Sequence, residues 1–360
     1  MAGKAKILAR VIVTGVSDHS VGGQICKALA LGRPKSFVVA TNLLQSEMRG
    51  LPFARSHVLP PCPSESYLKA LLALASQTRA EFVAPGSEPE LDFLSKNRDS
   101  LHQAGVTLLA NTHAIIESCV NKNRTFGVLK ERGIRVPLTI VDPLQKDLMA
   151  FEGRYPWIIK PARGSGTIGV SIAQNPKELV FFAQYLANIG MEPIAQEYFG
   201  TPGEEYTVGV LHSLEGSHLG SFAIKRNILT GLSLRLKIPN LTERKELGPL
   251  LAISSGITQG EISAFAPVLD ACRKIAEALE SRGPLNIQGR WDGNDFMPFE
   301  INPRFSGTTS MRAMAGFIEP VLLILSHRKQ PLPRSQREVR GVFSRHLIER
   351  FEADHSRSSK

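Results

Sequence analysis

The stretch 286–310, NIQGRWDGNDFMPFEINPRFSGTTS, restricts what this chain can build more than any other. Two segments, Leu285 to Trp291 and Phe296 to Pro303, flank Asp292-Gly293-Asn294-Asp295, and these turn-forming residues predict a β-hairpin. Because strand side chains alternate, Asn286, Gln288 and Arg290 share one face of the first strand, and Glu300, Asn302 and Arg304 one face of the second. The other faces are largely apolar, Ile287 with Trp291 and Phe299 with Ile301. Acceptor oxygens aligned beside a guanidinium suit Mg²⁺ and the phosphates it neutralises, since Mg²⁺ takes hard oxygen ligands and arginine forks onto phosphate or carboxylate. An amphipathic hairpin with a solvated polar face carries the same pattern. The rest of the chain has to separate the two.

With 360 residues the chain is long enough for two or three domains with substantial cores. Hydrophobic residues at 42 % and charged ones at 21 % are ordinary globular usage, and no apolar run is long enough for a membrane span. The start, Met1 to Lys6, runs directly into an apolar segment broken by Arg10, which does not suit a secretory signal, so a cytoplasmic location is expected. Cys26, Cys62, Cys119 and Cys272 lie far apart and read as reduced thiols. The net charge of +10 is concentrated in part beyond Ser326, where arginines and lysines outnumber acids. No aromatic interleaving or nucleic-acid motif accompanies it, so the expectation is a basic, partly flexible C-terminal segment. Neither nucleic acid nor membrane is an expected partner.

The run ILARVIVT at 7–14, the small polar stretch 16–23, a helix over 24–31 and a strand over 36–41 give a βαβ opening. Gly15, Gly22 and Gly23 do not fit G-x-G-x-x-G, and Thr41-Asn42 stand where an acid would close a dinucleotide site, so NAD is not expected, and the glycines permit a tight turn or line a ligand cleft. A helix over 67–77, a strand at Phe82-Val83-Ala84 and a strand over 106–109 continue the pattern. Glu88, just past the end of the 82–84 strand, is either a substrate contact or a first-turn acid favoured by the helix dipole. From Asn121 the pattern changes. The strand Trp157-Ile158-Ile159-Lys160-Pro161 delivers a lysine to the edge of Ala162-Arg163-Gly164-Ser165-Gly166-Thr167-Ile168-Gly169. Three glycines and two hydroxyls let backbone N–H groups approach a polyphosphate, although an ordinary glycine-rich hairpin loop has this composition too. A helix over 176–189, strands over 193–198 and 206–211, a sheet continuing through 222–238 and a long helix over 261–281 lead to the hairpin.

In sequence order, N-K-x-x-T-F at 121–126, W-I-I-K-P with its glycine loop, Q-E-Y…G-E-E-Y-T-V and N-I-Q…E-I-N-P-R resemble the ATP-grasp superfamily, in its branch similar to the carbamoyl-phosphate synthetase large chain. The resemblance spans residues 7–325. It implies an α/β chain, α+β in its ATP-binding part, with an N-terminal Rossmann-like pre-ATP-grasp domain at 1–115. A small ATP-grasp subdomain at 116–190, a large one at 191–326 carrying the hairpin, and the basic segment 327–360 would follow.

The same resemblance implies site roles. Lys122 and Lys160 would contact ATP phosphates, with Gly164, Ser165, Gly166, Thr167 and Gly169 closing over them. Glu197 and the backbone at Tyr198 would face adenine, and Glu205 would hold the ribose. Gln288, Glu300 and Asn302 would ligate Mg²⁺ or Mn²⁺, and Arg304 would orient the acceptor carboxylate or acyl phosphate. The expected activity is an ADP-forming ligase joining a small-molecule carboxylic acid to an amine. The alternatives are an ATP-binding regulatory protein without chemistry, and activation of bicarbonate as in the synthetase. Against the last, Leu229 stands in the segment where the synthetase has a histidine, and only one ATP-grasp unit is present. A homodimer is left open. Gly307, Thr308, Thr309 and Ser310, facing the loop after Gly15, are expected to line the substrate pocket.

Overall fold

The β-branched opening run forms β1 (Arg10–Val13), whose Val11, Ile12 and Val13 are wholly buried, as a strand covered on both faces requires. The chain is described here from a computed structural model covering residues 7–147, 151, 153–163, 168–333 and 339–346. β2 (Phe37–Asn42), β3 (Arg55–Val58), β4 (Phe82–Ala84) and β5 (Thr107–Leu108) join β1 in a parallel sheet of order β3-β2-β1-β4-β5. Strand order reverses beside β1, and the crevice beyond the strand ends there is where such sheets place ligands. The backbone closes this point tightly. A Cβ on Gly86 would lie 1.9 Å from the Thr14 carbonyl oxygen, so the glycines serve close packing. The helix Val21–Leu31 starts on a Ser20 cap whose Oγ accepts from Gly23 N at 3.0 Å.

The next sheet is antiparallel, order β6-β9-β7-β8, from β6 (Thr139–Val141), β7 (Trp157–Pro161), β8 (Ser171–Ala173) and β9 (Pro193–Glu197). The helix Pro176–Asn188 covers one face, packing Leu179, Ala183 and Leu186 against Trp157, Ile159 and Ala195. Alternation therefore turns Ile158, Lys160 and Gln196 to the other face, where a cavity lies.

The third sheet has order β16-β15-β10-β11-β14-β17, from β10 (Glu205–His212), β11 (His218–Arg226), β14 (Gly260–Ile262), β15 (Pro284–Trp291), β16 (Phe296–Asn302) and β17 (Gly341–Phe343). β12 (Leu234–Pro239) and β13 (Leu250–Ser254) form a separate two-stranded ribbon. Residues 222–238 thus do not continue one sheet. The chain leaves it after Arg226 and turns through Gly231, whose φ of 64° is a glycine conformation, before pairing again. The helix expected over 261–281 occupies Ala266–Ala278, with proline in its first turn, because Gly260–Ile262 is drawn into the sheet as β14. That helix packs Val268, Cys272 and Ile275 on Val208, Val210 and Ile287. The opposite face of the sheet is left for the cavity.

The basic C-terminal segment is partly structural: β17 pairs antiparallel with β14 at the sheet edge. All four cysteines are free thiols. Among the described residues no helix is long and apolar enough to cross a membrane.

Candidate active site

The hairpin forms as its residues predict, and its register sets the site. Asn286 pairs with Asn302 and Gln288 with Glu300, so four polar side chains stand together on one face. A bulge after Gln288 then pairs Gly289 with Pro298 and leaves Phe299 out of the ladder. The expected apolar face is interrupted there: Phe299 borders the cavity instead of the core, and its freed carbonyl accepts from Lys160 Nζ at 3.1 Å. Lys160 also donates to Gln196 Oε1 at 2.7 Å. Burial, and then the nearby charge of Lys122, push its pKa down to about 7. Lys122, at the start of the helix Lys122–Glu131, is likewise held below the usual lysine range by burial, opposed by Glu300 and Glu88.

These groups line a cavity of about 420 Å³ between the second and third sheets. Its lining combines apolar side chains, Ile158, Val170, Met191, Phe199 and Ile253, with the polar and charged Lys122, Lys160, Arg226, Glu300, Asn302 and Arg304. A cavity lined by both apolar walls and cations fits a planar base carrying a polyanion. Glu300 and Asn302 offer hard oxygens at the cationic end, and no cluster of three or more His, Cys, Asp or Glu able to hold a metal ion occurs among the described residues. The site therefore fits a divalent cation that arrives with a polyphosphate, because lysines and arginines alone would repel it.

Arg304 donates to Glu88 Oε1 at 3.0 Å and to its neighbour's carbonyl, Phe305 O, at 3.1 Å, tying the third sheet to the first domain. Glu88 is thus brought to the site. Gly169 has φ of 70° and sits over Pro161 and Leu186; Gly164, Ser165, Gly166 and Thr167 lie outside the described residues.

Three expected contacts are arranged differently. Glu205 is 1 % exposed, and both its oxygens are taken: Oε1 by Arg226 at 2.8 Å, Oε2 by Arg290 at 3.1 and 3.2 Å. It binds two guanidiniums where a ribose contact was expected. The Tyr198 carbonyl accepts from Arg244 at 3.1 Å and its N–H donates to Pro156, while Glu197 lies 3.5 Å from the same arginine. Gln288 turns its carbonyl oxygen to Arg226 at 3.1 Å and its amide nitrogen to Glu300 at 3.1 Å. As placed, Glu300 and Asn302 fit a metal and Gln288 does not.

The hydroxyl run also turns inward. Ser306 and Thr308 bond to Arg312, Thr309 Oγ1 accepts from Ser306 N at 3.0 Å, and Ser310 donates to Gln24 at 2.5 Å. Only Ser306, Gly307 and Thr308 of this stretch reach the cavity. Arg312, 1 % exposed, is paired with equally buried Glu319 at 3.3 Å and bonds Asn286 at 3.0 Å. Arg345 reaches back from beyond β17 to donate to the Gly307 carbonyl at 2.7 Å. The sequence carried one signal for Arg290, its place on the polar strand face; Arg345 sits in the basic tail, and Arg312 and Glu319 lie in a stretch that carries no motif.

Residues 252–348 match the family described as "ATP-grasp in the biosynthetic pathway with Ter operon". Over 218 residues the chain is 25 % identical to the arginine-specific large chain of carbamoyl phosphate synthase from Bacillus subtilis, covering 58 % of this chain and 19 % of that one. It superposes on L-amino acid ligase from Bacillus licheniformis with a TM-score of 0.60 at 19 % identity, covering 91 % of this chain and 75 % of that one. The biotin carboxylase domain of 2-oxoglutarate carboxylase from Hydrogenobacter thermophilus, in complex with MgADP and bicarbonate, gives 0.63 at 16 %, covering 91 % and 71 %. The chain has the fold of these structures, the ATP-grasp fold with a Rossmann-like part ahead of it. Within that class its sequence is similar to the large chain of carbamoyl phosphate synthase, of which it spans about a fifth.

Proposed function

We propose that this protein is an ATP-dependent ligase that activates a carboxylate as an acyl phosphate for attack by an amine. The observation that carries the reading is one cavity lined by apolar walls together with Lys122, Lys160, Arg226 and Arg304 and the oxygens of Glu300 and Asn302. A carboxylate is a poor electrophile. Its oxygen attacks the terminal phosphorus of ATP, the bond to the bridging oxygen breaks and ADP leaves. The amine nitrogen then attacks the acyl carbon, the C–O bond to phosphate breaks, and the nitrogen gives up its proton as phosphate departs.

The protein's part is to position and neutralise. Lys160, anchored by Gln196 and the Phe299 carbonyl, presents a charge from below the cavity, and Lys122 another from the helix start. Arg304, steadied by Glu88, holds the incoming carboxylate beside the phosphate, and the apolar walls limit the approach of water to the acyl phosphate. Glu300 and Asn302 would hold a Mg²⁺, or Mn²⁺, which would lower the charge on the phosphates. Glu197 and the Tyr198 backbone take the adenine once Arg244 swings off them. A cytoplasmic location and a homodimer complete the reading.

Glu300→Gln is expected to lower ADP release, measured with mixtures of carboxylic acids and amines, by about 10²-fold or more while leaving the melting temperature near that of the wild type. ADP release at the wild-type rate from this variant would sink the assignment.

A further inference from the structure

We infer that Gln288 is not a metal ligand in this chain, and that Arg226 supplies the positive charge at its position while Glu300 and Asn302 hold a single divalent cation. This rests on the ATP-binding reading above. Arg226 is 3 % exposed at the end of β11. Its Nη1 donates to Glu205 Oε1 at 2.8 Å, Ser254 Oγ at 2.8 Å and Gln288 Oε1 at 3.1 Å; its Nη2 donates to the carbonyls of Ser255 at 2.7 Å and Ile257 at 3.2 Å.

A guanidinium has donors and no acceptor. Gln288 can therefore meet Arg226 only through its carbonyl oxygen, which sends its amide N–H groups the other way. There Nε2 donates to Glu300 Oε2 at 3.1 Å, the directly opposed residue in the hairpin. Turning the amide over would set N–H against N–H at Arg226 and oxygen against carboxylate at Glu300. Both ends thus enforce one orientation, and what Gln288 shows to the space beside Glu300 is a donor, which repels a cation.

The arginine cannot readily step aside, because its acceptors come from β10, β13, β15 and the loop after β13. Its Nε is buried without a partner, so what the guanidinium offers the cavity it lines is its charge. Neighbouring Asn302 is not drawn into this clamp. The polyphosphate would accordingly meet one metal ion at Glu300 and Asn302, and a fixed organic cation at Arg226.

The test counts metal, not turnover. The full chain, saturated with a non-hydrolysable ATP analogue, is titrated with Mn²⁺ and free ion is read by electron paramagnetic resonance. One Mn²⁺ per chain is expected. Gln288→Ala should hold it within about threefold of the wild-type affinity, and Glu300→Gln should weaken it by about tenfold or more. Two Mn²⁺ per chain, or a tenfold loss in Gln288→Ala, overturns the inference and leaves the ligase reading standing. If equilibrium dialysis shows that the wild type takes up no nucleotide, both fall together.

Discussion

Replacing Lys160 by methionine should make the protein more stable near neutral pH while disabling the site, and the effect has a pH signature. The folded pKa of about 7 lies below the reference of 10.5. Below pH 7 the lysine is charged in both states and folding carries the full cost of burying that charge. Above about 10.5 it is neutral in both and the cost is gone. In between the unfolded chain binds the extra proton, so wild-type stability rises with pH by about 1.4 kcal/mol per unit from this residue alone. Between pH 7.5 and 9.5 the wild type should therefore gain about 3 kcal/mol on Lys160→Met. Against this, the variant leaves the Gln196 and Phe299 oxygens without their donor, a cost of about 1–3 kcal/mol at every pH. The two combine into a crossover, with the variant ahead at low pH and behind at high pH. Urea unfolding of both chains at closely spaced pH values reads it directly, since the other titrating groups are common to both. A difference that stays flat from 7.5 to 9.5 would refute the reasoning. The same shift requires that a polyphosphate restore the charge, so calorimetry in buffers of different ionisation enthalpy should show close to one proton taken up per nucleotide at pH 8, and none by Lys160→Met.

Two further outcomes follow from packing. Arg312→Met strands the Glu319 carboxylate, already pushed up by burial, with its partner gone; the expected loss is about 3–5 kcal/mol, and Arg312→Met with Glu319→Leu should recover much of it in thermal melts. Gly86→Ala places a Cβ 1.9 Å from the Thr14 carbonyl and 2.6 Å from Gly22 Cα, which only backbone movement relieves, so a loss of about 3 kcal/mol is expected in urea unfolding, against a gain of about 0.5–1 kcal/mol for alanine at Gly127, inside the helix Lys122–Glu131, whose Cβ meets nothing within 4 Å.

Much of the site was legible because it rests on local regularities. The period of two put Asn286, Gln288 and Arg290 on one face, and Asp292-Gly293-Asn294-Asp295 closed the turn, so the pairing of Gln288 with Glu300 followed once the register was set. Lys160 reached the cavity by the same alternation within Trp157–Pro161. The chain also determined its own class through the order of its motifs, since the spacing of Lys122, Lys160, Glu197 and Glu300 is written along it.

Only the tertiary structure decided which partner each polar group takes. A strand pattern says which way Gln288 and Glu205 point, and nothing about Arg226 and Arg290 arriving from other strands to claim their oxygens. The hydroxyls of Thr309 and Ser310 read as pocket lining until Ser306 N and Gln24 drew them inward. Arg345 read as part of a basic tail until β17 paired at the sheet edge and carried it to Gly307. The physical reason is common to all three. A buried donor or acceptor must be satisfied, and its partner is chosen by proximity in the folded core, across separations that no local period records.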